Sequence, residues 1–452
     1  MLFLVAFLCI FAASGKPLLA SSGAAPAPWP HWRGPEEGEK GTVIVVDPFC
    51  RYLGRRIARE ALDRGYAVCE VISEPTLMHV EGEDEDLSGF GAPAIGEEHR
   101  WAEGLPKPLV GVLCESDAGL ETAERLRAEL CGGSSSSARR HKYWMNEALR
   151  KAGMATAAQI LTGKEEEALE WLSERGNCRA IVKPYRGCSS SSVYLCDTTV
   201  EVQHAFRSVL GLPLYGSPGE LASEVLVQEV LEGTEWVIDS VSRAGKHKIM
   251  ALWHYDKRAV NGAPFVYFAT VLSECETEEQ RQVLDYAVKA LDALGVESGP
   301  CHIEVMMTAE GPKLIEVNCR WHLTDFLPMC DECIGYNSVL GCVDALCDPE
   351  AFDAYPDVPG PLLGQARVCH LVCHVSGELL EVDHLEEIQE MESVESYDIY
   401  PRFNIGEMVR PTIDIDSDAG WVRQVHADPE VVKRDYERLV ELQRTMFRVR
   451  ED

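Results

Sequence analysis

The chain has 452 residues, with 42 Lys and Arg against 74 Asp and Glu and a net charge of −32. That length exceeds one ordinary domain, and 46% hydrophobic residues can build real cores, so the class is soluble and globular. Phosphate backbones and anionic membranes demand a basic footprint that this composition lacks, which argues against nucleic acid or a lipid surface as the main partner.

The first fifteen residues, MLFLVAFLCIFAASG, hold an apolar run followed by small residues. They fit a secretory or organelle-directing signal better than a spanning helix, which needs about 20 apolar residues. A basic segment before the run is missing, and residues 16–41 are rich in Pro, Ala and Gly. Residues 1–40 are therefore expected to be a targeting segment with its linker or an unstructured extension, with no integral membrane span in the mature chain. Seventeen cysteines are odd in number and dispersed in a long chain, a pattern of reduced thiols rather than a disulfide framework. Two groupings, Cys330 and Cys333 with Cys342 and Cys347, and Cys369 with Cys373 and His374, lack the paired spacing of a zinc ribbon.

Order begins after Gly41. TVIVVDPF reads as a buried strand, RYLGRRIAREALDRGYAV as an amphipathic helix ending near Gly65, and AVCEVIS as the next strand: a βαβ unit. It carries no GxGxxG fingerprint, so dinucleotide binding is not indicated. The acidic run 81–86 reads as a solvated loop, and 109–114 and 118–130 as a further strand and helix. The serine run 134–137 then closes a first α/β domain.

A second domain opens with a helix over 141–152 and another over 164–175, followed by the strand AIVKPY that contains Lys183. After it, RGCSSSSVYLC sets Gly187 and Ser189, Ser190, Ser191 and Ser192 in a turn. Such a turn can lay backbone N–H groups and hydroxyls around phosphate oxygens beside the lysine, or be a hairpin tip alone. VLVQEVLEGTEWVIDSVSRAGKHKIMALWHY is expected to form three antiparallel strands with turns at 232–233 and 244–245. The second strand aligns Glu235 and Asp239 on one face, where an acid can accept from ribose hydroxyls or simply be solvated. Tyr255, Lys257 and Arg258 are placed just after the third strand.

Residues 301–320 read as a hairpin, with strands 301–308 and 312–319 around the loop Ala309, Glu310, Gly311. Centring the register on Glu310 sets Glu316 opposite Glu304, with β-carbons roughly 5 Å apart. Two opposed carboxylates destabilise a sheet unless something positive lies between them, and a divalent cation answers that need. Alternation adds Asn318 and Arg320 to the face. Three hard oxygen ligands suit Mg²⁺ shared with phosphates, and the guanidinium suits a phosphoryl group. A solvent-facing strand pair is the alternative, and a one-residue slip would remove the juxtaposition.

In order, the helix with Lys142, the strand lysine with its Gly/Ser turn, the QE-x-L-x-G-x-E segment and the Glu/Glu/Asn/Arg hairpin resemble the ATP-grasp superfamily of carboxylate–amine ligases. The branch most resembled is that of the L-amino-acid ligases that form dipeptides. The resemblance implies an α/β architecture with α+β lobes: a Rossmann-like pre-domain over 41–133, an ATP-grasp domain over 138–347 and a C-terminal α+β region over 360–452. It implies that Lys142 and Lys183 contact the ATP phosphates beneath a covering loop at Gly187–Ser192. Gln228, Glu229 and Leu231 would meet adenine and Glu235 the ribose. Glu304, Glu316 and Asn318 would hold Mg²⁺, with Mn²⁺ as a substitute, and Arg320 would stabilise the transferring phosphoryl group.

The implied reaction joins a carboxylate, an amino acid by this resemblance, to an amine through an acyl phosphate. No protein nucleophile is needed, in keeping with the lack of a GxSxG elbow. Where many relatives continue with glycines after the hairpin arginine, this chain has Trp321, His322, Leu323 and Thr324. That departure leaves the substrate open, with His322 and Lys257 as candidate contacts. The alternatives are a ligase or carboxylase acting on another carboxylate, and a non-catalytic ATP-binding scaffold. A cytoplasmic or organellar location and a homodimer complete the expectations, the C-terminal region and its last helix (429–448) packing over the site or supporting the dimer.

Overall fold

Strand β1 (Thr42–Val46) is buried along its whole length, as the centre of a parallel sheet must be, and pairs in parallel with β2 (Ala67–Val71) and β3 (Leu109–Cys114). Helix α1 (Leu53–Asp63) connects the parallel strands β1 and β2, and α2 (Leu120–Cys131) follows β3, giving the expected α/β unit. The computed structural model describes residues 40–48, 53–76, 91–176, 179–187, 192–217, 219–322 and 326–450. The apolar leader, the acidic run 81–86, Ser189, Ser190, Ser191, Leu323 and Thr324 lie outside the described residues.

Helix α3 (Lys142–Lys151) leads into a small lobe, a four-stranded sheet ordered β4 (Gln159–Thr162), β7 (Val225–Gln228), β5 (Ala180–Lys183), β6 (Tyr194–Cys196). Helices α4 (Glu165–Glu174) and α5 (Thr199–Val209) cover one face, burying Leu172, Val182, Phe206 and Val227 together. Residues 225–228 thus leave the three-strand run expected of them: β7 pairs with β4 and β5, and the chain crosses to the large sheet only beyond it. Gly233 lies in that crossing at φ +152°, where a Cβ would collide with the Met307 carbonyl oxygen.

The large sheet has eight strands in the order β12 (Gly311–Asn318), β11 (Gly299–Thr308), β8 (Thr234–Arg243), β9 (Lys246–Val260), β10 (Ala263–Ser273), β13 (Gln365–His370), β17 (Gly420–His426) and β15 (Val394–Ile399). Strand β9 is longer than expected, so Tyr255, Lys257 and Arg258 stand within it rather than after it. Trp236, Ile238, Ile303, Val305, Leu314 and Val317 form a core on one face with helix α6 (Glu278–Ala293), α3 and the first domain. The opposite face of β8, β9, β11 and β12 carries the polar residues described below.

Helices α7 (Phe326–Cys333) and α8 (Ser338–Cys347) pack against that sheet and against α1. A small sheet, β16 (Met408–Val409), β14 (Gly377–Val382) and β18 (Phe447–Arg450), sits beside helix α9 (Pro429–Leu442) in the C-terminal region. The helix expected to reach residue 448 stops at Leu442 because Phe447 and Val449 pair with β14 instead. Among the described residues, no helix is long and apolar enough to cross a membrane.

Candidate active site

The hairpin β11–β12 places Glu304 opposite Glu316 and His302 opposite Asn318. The loop is shorter than expected. Thr308 pairs with Gly311 around Ala309 and Glu310, and the extra residue is taken up by a bulge at Ile315, between Leu314 and Glu316. The two departures cancel, which is why the glutamate register survives.

Cationic groups converge on the opposed carboxylates. Lys142, at the start of α3, forms an ion pair with Glu316 and donates to the Gly187 carbonyl at 2.7 Å. Asn318 donates to Glu316 at 2.8 Å, and His302 meets Glu304 through Nε2 at 3.1 Å. Burial would raise the Glu316 carboxyl, but Lys142, Asn318 and Lys183 outweigh it and bring it down to about 2. Burial likewise opposes the charge on Glu304, which His302 and Lys257 hold below the usual range.

Lys183 is buried at the end of β5 and is lowered to about 8, first by desolvation and then by Lys142. Glu316, Glu304 and Glu235 offset this only in part, and a polyphosphate would add the counter-charge that a desolvated ammonium beside a second cation calls for. Ser192, at the far end of the Gly/Ser turn, has φ +57°. Gln228 donates to Gln159 at 2.8 Å, while Glu229 is held by Lys313 at 2.8 Å and Arg175 at 3.2 Å; Leu231 is half-buried beyond them.

Glu235 does not stand alone. Lys257 donates to both of its oxygens, at 2.7 and 2.8 Å, with the ammonium 4.5 and 4.4 Å from the ring centroids of Tyr255 and Tyr267. Burial pushes Lys257 down, but Glu235 and its neighbours drive it well above the ordinary lysine value. Lys257 thus lies on the same face as Glu304, tied to the acid for which a ribose role was expected.

Arg320, just past β12, pairs with Asp117 at 2.8 Å, and Arg140 reaches the same carboxylate at 3.4 Å. Asp117 belongs to the first domain, some 200 positions away in sequence, so no local pattern could have announced it. His302 was also missed, although alternation from Glu304 places it on the same face. His322 stacks on Phe326 with ring centroids 4.1 Å apart, 4.3 Å from the His302 ring.

Residues 176–323 match the model of the ATP-grasp domain. That stretch is an ATP-grasp domain. The chain is 28% identical over 302 residues to dapdiamide A synthase of Enterobacter agglomerans, covering 66% of this chain and 70% of that protein. Carnosine synthase 1 of Mus musculus is 28% identical over 160 residues, 34% of this chain and 18% of that one. In fold, the chain superposes on an L-amino acid ligase from Bacillus licheniformis with TM-score 0.66 at 17% identity, covering 91% of this chain and all of the other. It superposes on an Aspergillus clavatus carboxyaminoimidazole ribonucleotide synthase with TM-score 0.60 at 12% identity.

Proposed function

We propose that this protein is a carbon–nitrogen ligase that uses ATP to join a small carboxylate, of the amino-acid class, to an amine. The observation that carries this reading is the grouping of Lys142 from α3, Lys183 from β5, Glu304 from β11, Glu316 and Asn318 from β12 and Arg320 just after it. The relation to dapdiamide A synthase, which spans about two thirds of both chains, supports the ligase class.

The donor set fits Mg²⁺: three hard oxygens, two of them on directly opposed carboxylates that already draw cationic partners. When bound, Mg²⁺ supplies charge neutralisation of the phosphates. Lys142 exchanges Glu316 for phosphate oxygens, and Lys183 gains further counter-charge from them. Gly187, to whose carbonyl Lys142 donates, lies at the phosphate end of the site. Arg320, oriented by Asp117, faces the developing charge as the substrate carboxylate attacks the γ-phosphorus and ADP leaves. The amine then displaces phosphate from the acyl carbon. Positioning and electrostatics do this work without a protein nucleophile.

The test is ADP and phosphate release from Mg–ATP across pairs of amino acids, with products identified by mass. Turnover that needs both a carboxylate and an amine is expected, and ATP binding without turnover on any pair overturns the reading. Small-molecule substrates and a homodimer without nucleic acid are the partners proposed with it.

A further inference from the structure

Beneath the proposed Mg²⁺ ligands, β8, β11 and the segment after β12 bring together Asp239, His302 and His322. Their relative exposures are 6, 3 and 9%. One ligand atom from each lies within 4.8 Å of the others, and this is the only such group of potential metal ligands among the described residues. Three of these buried atoms, Asp239 Oδ1, His302 Nδ1 and His322 Nδ1, have no hydrogen-bond partner. Orphaned polar atoms at such depth are costly, and one cation among the three side chains would supply a partner to each.

The separations are informative. Each Nδ1 stands 3.7 Å from an Asp239 oxygen, His302 from Oδ1 and His322 from Oδ2. That is beyond a hydrogen bond. It is close to the edge of a coordination tetrahedron, about 3.4 Å for bonds of about 2.1 Å, so a small movement of the rings closes it.

The other atoms of the three side chains are already engaged. Trp253 Nε1 donates to Asp239 Oδ2 at 2.8 Å, His302 Nε2 meets Glu304 at 3.1 Å, and His322 Nε2 lies 3.5 Å from the Tyr255 hydroxyl. Burial opposes a charge on His302, but Asp239 and Glu304 raise the ring to about 9, so an ion binding at Nδ1 displaces the proton there while the Nε2 proton stays towards Glu304. This is the carboxylate–histidine arrangement that orients metal ligands.

We propose that Asp239, His302 and His322 form a second, buried cation site, distinct from the Glu304–Glu316–Asn318 set and selective for a nitrogen-seeking divalent transition ion such as Zn²⁺. Two imidazoles and one carboxylate discriminate against Mg²⁺, which prefers oxygen. Three protein ligands leave a fourth position for solvent. The ion fixes the His302 ring and, through its Nε2–H, the carboxylate of Glu304, so the site acts by positioning rather than by touching the reacting atoms.

The experiment is metal analysis of the full chain after chelator treatment and dialysis against Zn²⁺ with excess Mg²⁺. One zinc per chain is expected in the native protein and in Glu316→Gln. Zinc affinity should fall at least about tenfold in His322→Phe, which keeps a ring to stack on Phe326, and in Asp239→Asn, each checked by circular dichroism. The native chain loaded with Co²⁺ gives an independent reading if a variant misfolds: visible d–d absorption without a thiolate charge-transfer band. A native chain that retains no zinc, zinc lost from Glu316→Gln but kept by His322→Phe, or a cobalt–thiolate band overturns the proposal. Because the readout is metal content, its failure is separate from failure of the ligase reading.

Discussion

Lys183→Met separates the two roles of one buried lysine. An ordinary lysine titrates at 10.5, and Lys183 is lowered to about 8. At about 1.4 kcal/mol per pH unit, keeping it charged in the fold costs about 3 kcal/mol at pH 7. The sign follows from proton binding: between pH 8 and 10.5 the unfolded chain holds this proton and the folded chain does not. The penalty is therefore full below about pH 8 and fades as pH rises towards 10.5. Methionine keeps the length of the side chain without the charge, so the variant should be more stable than the native chain at pH 7, by up to about 3 kcal/mol, and by little near pH 10. Denaturant titrations of both proteins at the two pH values measure the difference, in which other titrating groups largely cancel. ATP affinity, measured by calorimetry at pH 7, should fall about thirtyfold, the equivalent of one charge-assisted contact of about 2 kcal/mol. A variant less stable than the native chain at pH 7, or one that holds ATP as tightly, refutes the reasoning.

Glu316→Gln should lower kcat by about three orders of magnitude or more while leaving the circular dichroism spectrum unchanged, because it alters a proposed metal ligand and no core packing; retained turnover would remove Glu316 from the metal set. Asp117→Asn loosens Arg320 and should cost about 10- to 100-fold in kcat with nearly unchanged ATP affinity, measured by steady-state kinetics. Affinity for ATP in the native chain should weaken as pH rises above about 8, where free Lys183 loses its proton, and Lys183→Arg should flatten that profile in calorimetric titrations. Trp253→Phe removes the indole N–H from Asp239 and should destabilise the chain by about 2 kcal/mol or more, read from denaturant midpoints.

Local patterns carried much of the fold into view. The apolar run of β1, the helix behind it and the turn residues of the β11–β12 hairpin are short-range signals, and alternation alone put Glu304, Glu316 and Asn318 on one face. What stayed hidden is long-range. Residues 225–228 look like any buried strand, and nothing nearby says that their partners are β4 and β5 rather than β8. Strand β10 reads as a plain apolar run, and β17 has no turn signal strong enough to mark it. Met446 continues the apolar stripe of α9 and so extends the expected helix, while the pairing of Phe447 with Val382 is a tertiary preference that overrides helical propensity. At the site, the residue types were legible, but their partners were not: Asp117 for Arg320 and Glu235 for Lys257 emerge only from folding.

The continuity of the large sheet bears on how this chain can be cut. Strand β13 completes the edge of β10 at Ala269, Thr270 and Val271. A fragment ending near residue 360 would hold every proposed ATP contact yet present β10 as an open, apolar edge with unpaired N–H and C=O groups. Such an edge recruits strands from other molecules. The region after residue 360 therefore works as an internal safeguard against self-association, and expression trials that discard it should yield aggregates rather than a minimal nucleotide-binding unit.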